Sequence, residues 1–281
     1  MKTLTTLCLL VLSMFVYSQD IPLASAEQFK RFKESTTYLV KYDDPFSSFN
    51  EYITEDMSKV WKLTSYKVIS SEEFETLSKD KKNSFIFLSE IYKEEGNASC
   101  TWNLLNLVLG SNAGSASMNS MPDLGSAPLS YVSEDEDSED QYLYKLAGVL
   151  RFFQYYTQYN IDHPGSDIKT VVKDNQSKLA GKELWLIQSE MSDDVNTLDE
   201  IKKYYSGVVK FVTPEEIRTA VHNGNENVVF LHKVGPGKGD GKWVLKFLIS
   251  AADGCPVYYD MTTLSGSKQD GFSAADFKAI N

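Results

Sequence analysis

The sequence predicts an α/β protein, leaning towards α+β, made of two tandem copies of a β-α-β-α-β-β-β-α unit, each a mixed sheet flanked by helices. Three observations carry this. The segment Tyr66–Leu88 aligns without a gap onto Val209–Leu231, with identities at Lys67/Lys210, Glu72/Glu215, Glu73/Glu216, Thr76/Thr219, Phe87/Phe230 and Leu88/Leu231. Helix-start chemistry recurs in both copies, as Ser71-Glu72-Glu73 and Thr213-Pro214-Glu215-Glu216. A nearly all-apolar stretch then follows in each, as expected of a strand covered on both faces.

The first copy opens on a strand at Thr37–Lys41. Asp44-Pro45 offers an N-cap and a proline at the first helical position. Phe46, Phe49, Ile53 and Met57 continue at helical spacing to about Trp61. Tyr66–Ile69 is the second strand, Ser71 caps a short helix, and Ser84–Ser89 is the central strand. The second copy repeats the order with a strand at Leu184–Ile187, a helix over Thr197–Tyr205, a strand at Val208–Val212, the Pro214 helix and a strand at Asn227–His232. Both copies then leave strict alternation. Trp102–Leu109 and Trp243–Ile249 read as hairpin strands, followed by strands near Pro128–Val132 and Pro256–Tyr259 and by helices at Gln141–Tyr159 and Ser273–Ile280. Helical crossovers require parallel early strands and short turns require antiparallel later ones, so each sheet should be mixed. This order is similar to thioredoxin-like and small Rossmann-like folds; neither copy has a Cys-x-x-Cys, which removes thiol redox chemistry.

The chain divides into residues 1–18, an N-terminal segment 19–35, a first repeat 36–160, a linker 161–182 and a second repeat 183–281. Residues 1–18 read as a secretory signal: Lys2 is the positive region, Leu7–Val16 the apolar run, and Ser18 precedes the cleavage point. A small residue followed by Gln19 resembles the signal peptides of exported proteins from Bacteroidota-type Gram-negative bacteria, which implies a periplasmic or extracellular protein. No later stretch approaches the roughly 20 apolar residues of a membrane helix. A net charge of −11 argues against nucleic acid, whose phosphates need a Lys/Arg surface. Beyond the signal the cysteines are Cys100 and Cys255. Export permits a disulfide between them, and two separate buried thiols are the alternative.

The chemistry is less legible. Asp43-Asp44 and Asp193-Asp194 occupy equivalent loops at the carboxyl end of a strand, where open α/β sheets often bind ligands. Paired carboxylates there could hold a cation or act as an acid and base; helix capping is the competing role. The run Ser133–Asp140 lacks calcium-loop spacing. Gly235–Lys242 has no phosphate-loop spacing and lies between strands, so it is a hairpin loop. The histidines His163, His222 and His232 are scattered, and Ser265-x-x-Lys268 sits in a Gly/Ser-rich loop. The helix Gln141–Tyr159 is aromatic on several sides. Packing between the repeats explains this, and a binding face at Tyr155, Tyr156 and Tyr159 is its rival. With no catalytic constellation repeated and no cofactor motif, the sequence reads as a non-catalytic binding or interaction protein for an unknown protein or small molecule. A carboxylate-based or metal-assisted hydrolase at the strand ends is the alternative.

Overall fold

The computed structural model describes residues 23–96, 98–111, 120–132, 136–237, 242–265 and 270–281. The signal and its cleavage point, most of the Gly/Ser-rich loop 111–120, the start of the acidic run, the tip of the Gly235 hairpin and Lys268 lie outside them. The elements of the first copy are β1 (Thr36–Val40), α2 (Phe49–Val60), β2 (Ser65–Ile69), α3 (Ser71–Leu77), β3 (Asn83–Glu95), β4 (Ala98–Leu109), β5 (Asp123–Tyr131) and α4 (Leu146–Asp162), preceded by α1 (Ala26–Phe32). After α5 (Ile168–Asn175) come β6 (Glu183–Leu186), α6 (Leu198–Ile201), β7 (Val208–Phe211), α7 (Pro214–His222), β8 (Val228–Val234), β9 (Trp243–Ser250), β10 (Pro256–Thr263) and α8 (Ala274–Ile280).

The two sheets have the same strand order. It is β2-β1-β3-β4-β5 in one and β7-β6-β8-β9-β10 in the other. In each, the first three strands are parallel and the last two antiparallel, as the connections require. The duplicated helix starts are capping boxes in both copies. Ser70 with Glu73 opens α3, and Thr213 with Glu216 opens α7. This explains why the glutamate is identical, and it moves the first cap from Ser71 to Ser70.

Several local expectations are corrected. Helix α2 starts at Phe49, not after Asp44, because Glu139 satisfies its first turn from a distance: its carboxylate accepts from Ser48 N at 2.9 Å and from the Ser47 hydroxyl. The β3–β4 hairpin extends to Glu95 and Ala98, well beyond the apolar stretch, because its outer half is half-solvated. α6 is a single turn. The N-terminal segment and the linker each hold an unanticipated helix. In α1, Phe29 and Phe32 are fully buried against α4.

The copies stack face to back. Leu39 and Ile86 of the first sheet face α2 and α4, whereas Phe85 and Phe87 face α3. In the second sheet Leu186 and Val229 face α6 and α8, while Phe230 turns to α7 and α4. One apolar core therefore runs from the α2/α4 side of the first copy into the α7 side of the second. α4 lies in this junction, which accounts for its aromatic character on several sides. Its approach is close: a Cβ at Gly148 would lie 2.4 Å from Phe230 Cζ. Gly148→Ala should thus destabilise by about 1–3 kcal/mol through overpacking, although alanine is the better helix former. Urea unfolding tests this, and a more stable variant would refute the close-approach account.

Candidate functional site

Where β5, α4 and the second sheet meet, they leave a cleft of about 360 Å³. Its floor is β9 and β10, through Phe247, Ile249, Tyr259 and Met261; α4 adds Phe152 and Tyr156. The aromatic rings hold one another edge-on, with centroids 4.9 Å apart for Phe152/Phe247 and 5.9 Å for Phe247/Tyr259. This fixes the wall shape. β5 is an edge strand, so Pro128 costs no ladder bond there. Gly125 keeps the strand close to α4, since a Cβ would sit 3.1 Å from Phe153 Cδ1.

Asp123 and His232 stand out in this apolar space; Asp167, also at its border, caps α5 by accepting from Thr170 N at 2.8 Å. Asp123 Oδ1 accepts from Gly125 N at 3.0 Å and from the Ser126 hydroxyl at 2.9 Å. Burial outweighs those bonds and pushes its carboxyl up to about 6. His232, on β8, is 1 % exposed. Burial, reinforced by the Lys145 charge, pulls its imidazole down to about 3, so the ring is neutral at physiological pH. Its Nε2–H donates to the Pro128 carbonyl at 2.7 Å. That leaves Nδ1 as an acceptor, and it has no partner among the described residues. A buried acceptor without a donor costs about 1–3 kcal/mol.

Of the binding residues proposed from sequence, Tyr156 lines this cleft, its hydroxyl donating to Ser166 O at 3.1 Å. Tyr155 and Tyr159 turn to the linker, donating to Asn175 Oδ1 at 2.8 Å and Asp174 Oδ2 at 2.5 Å. Asp44 accepts from Phe46 N at 2.9 Å in a turn, and Asp43 is exposed. Asp194 accepts from the Ser192 hydroxyl and, at 3.3 Å, from Ala274 N at the start of α8, while Asp193 is exposed. Among the described residues no acidic, His or Cys group forms a metal-like cluster. Cys100 and Cys255 are separate buried thiols in different apolar clusters, so the disulfide alternative is not realised.

The strand-end loops do border a second cleft, of about 580 Å³, but with other residues. Lys145, 2 % exposed, pairs with Glu190 at 2.7 Å and donates to Lys233 O at 2.8 Å; Lys233 pairs with Asp270 at 2.6 Å. Glu190 and Asp270 are thus each matched by an ammonium, and the Lys145–Glu190 pair ties the copies together. Asp123 and His232 carried no sequence signal beyond their type, because their environment is built by elements distant in the chain. No protein-family model, no curated protein and no solved structure matches this chain. No helix among the described residues is long and apolar enough to cross a membrane.

Proposed function

We propose that this is an exported, non-catalytic binding protein whose ligand is a small, largely apolar molecule carrying at least one hydrogen-bond donor. The observation that carries the reading is the orphaned Nδ1 of His232 in an aromatic-walled cleft between the repeats. Ligand sites are typically apolar clefts with a few placed polar groups. Among the polar groups here are two acceptors: a neutral imidazole nitrogen and a carboxyl that ionises near neutrality. A donor from the ligand would satisfy the imidazole nitrogen, and the apolar body would cover Phe247 and Tyr259.

The test is titration with N-phenylnaphthylamine, an apolar fluorophore with one N–H. Saturable binding at one probe per chain is expected, with loss in Met261→Trp, which fills the cleft, and weakening in His232→Leu. A ligand at 100-fold its Kd adds about 2.7 kcal/mol of stability, so a melting shift should accompany the fluorescence. Probe binding that is absent, or unchanged in a folded Met261→Trp protein, would sink the proposal.

A further inference from the structure

A second cleft, of about 790 Å³, opens beneath the junction, lined by Lys59, Lys62, Arg151, Lys178 and Lys182 together with His222. In a chain of net charge −11, five cations around one hollow need a reason. The buried cations elsewhere are paired: Lys145, Lys233, Lys246 and Arg218 each meet a carboxylate within 2.9 Å. None of the five in the cleft has a carboxylate within 4.0 Å among the described residues. Glu226 and Asp253 also border the space; Asp253 accepts from Cys255 N at 3.0 Å, and its charge reaches Arg151 and Lys178 without forming an ion pair with either.

Three of these cations are held by neutral oxygens. Arg151 donates through Nε to Val221 O at 3.0 Å and through Nη1 to Ala252 O at 2.6 Å. Lys182 donates to Glu226 O at 2.6 Å, and Lys178 to the Tyr155 hydroxyl at 3.1 Å. Such contacts fix position without cancelling charge. The third guanidinium nitrogen, Arg151 Nη2, faces Gly224, whose φ of +60° favours glycine and where a Cβ would lie 3.6 Å from it. At Gly254, φ +75°, a Cβ would strike the Arg151 carbonyl carbon at 2.2 Å, so the β9–β10 turn is seated directly on α4. The cationic groups thus belong to a built hollow.

We infer that this cleft binds the phosphate or sulfate group of a small molecule, with Arg151 as the fixed fork and the lysines as surrounding charges. The site is distinct from the apolar cleft and uses none of its lining residues. Calorimetric titration with inorganic phosphate, inorganic sulfate and a sugar phosphomonoester, at ionic strength held constant with sodium chloride, tests it. Saturable binding of at least one of them is expected, and Lys59→Glu/Lys62→Glu and Lys178→Gln should each weaken it at least tenfold. The exposed lysines at 59 and 62 keep the first variant's melting temperature in chloride close to wild type. Tighter binding of the phosphomonoester would assign the organic ligand, and equal binding the free ion. Heat no greater than with chloride, or affinity unchanged in both variants, would overturn the inference.

Discussion

Arg218→Ala is expected to lower stability by about 3–5 kcal/mol, read as a shifted urea midpoint with an unchanged slope. Arg218 projects from α7 of the second copy onto α2 of the first. Its Nη2 donates to Asp56 Oδ1 at 2.9 Å and to Glu55 Oε2 at 2.7 Å, and its guanidinium lies 4.6 Å from the centre of the Tyr52 ring. Asp56 is fully buried, and burial lifts its pKa even though His222, 2.7 Å away, and Arg218 both oppose the rise. Its Oδ2 has no partner among the described residues. Deleting the guanidinium therefore leaves a buried carboxylate with His222 but without its permanent cation, and the exposed Glu55 contributes little to the cost. Replacing both partners, as Asp56→Leu with Arg218→Met, should recover most of the loss, because an apolar pair avoids the desolvation penalty. A single-variant cost under 1 kcal/mol would show that the pair does not hold the copies together.

Asp123→Asn should act in the opposite direction, stabilising the protein at pH 7 by about 2–3 kcal/mol. The carboxyl titrates near 6 in the folded chain, against an ordinary value of 3.8. An acid raised in this way favours folding while protonated. Its contribution is complete below about pH 4 and is lost as the pH climbs through 6. At pH 7 the folded protein carries the charge at a cost. Asparagine keeps an oxygen that can accept from Gly125 N and the Ser126 hydroxyl, and it never ionises. The two proteins should have equal stability near pH 4 and diverge by pH 7 in urea titrations. A difference independent of pH would refute the assignment. A carboxylate retained at a cost in stability is the pattern expected of a binding group.

The repeated core was legible because its signals are local. Caps lie three residues from their partners, as Thr213 and Glu216 do, and strand apolarity is continuous at Phe85–Phe87. The face-to-back stacking was not legible from those same identities, which say that the copies fold alike but not how they meet. The junction lies where the aligned copies differ in chemistry: Arg218 stands opposite Glu75, and His222 opposite Lys79. Glu75 and Lys79 are exposed, whereas Arg218 is buried. Reading the mismatches rather than the matches would have pointed to α7. α1 and α5 escaped because helices of seven and eight residues are too short to show a clear period. The apolar cleft draws Asp123, Phe152, His232 and Tyr259 from four separate elements, a juxtaposition that only tertiary packing creates.

The way the copies meet also bears on their origin. Two chains related by a two-fold axis present like surfaces to each other, and joining them end to end would preserve that likeness. Here the helices after the first and fifth strands of one copy, α2 and α4, receive the helix after the second strand of the other, α7. That is the geometry of a pile rather than a handshake. A front-to-back contact of this kind is not one that a two-fold pair of such units makes.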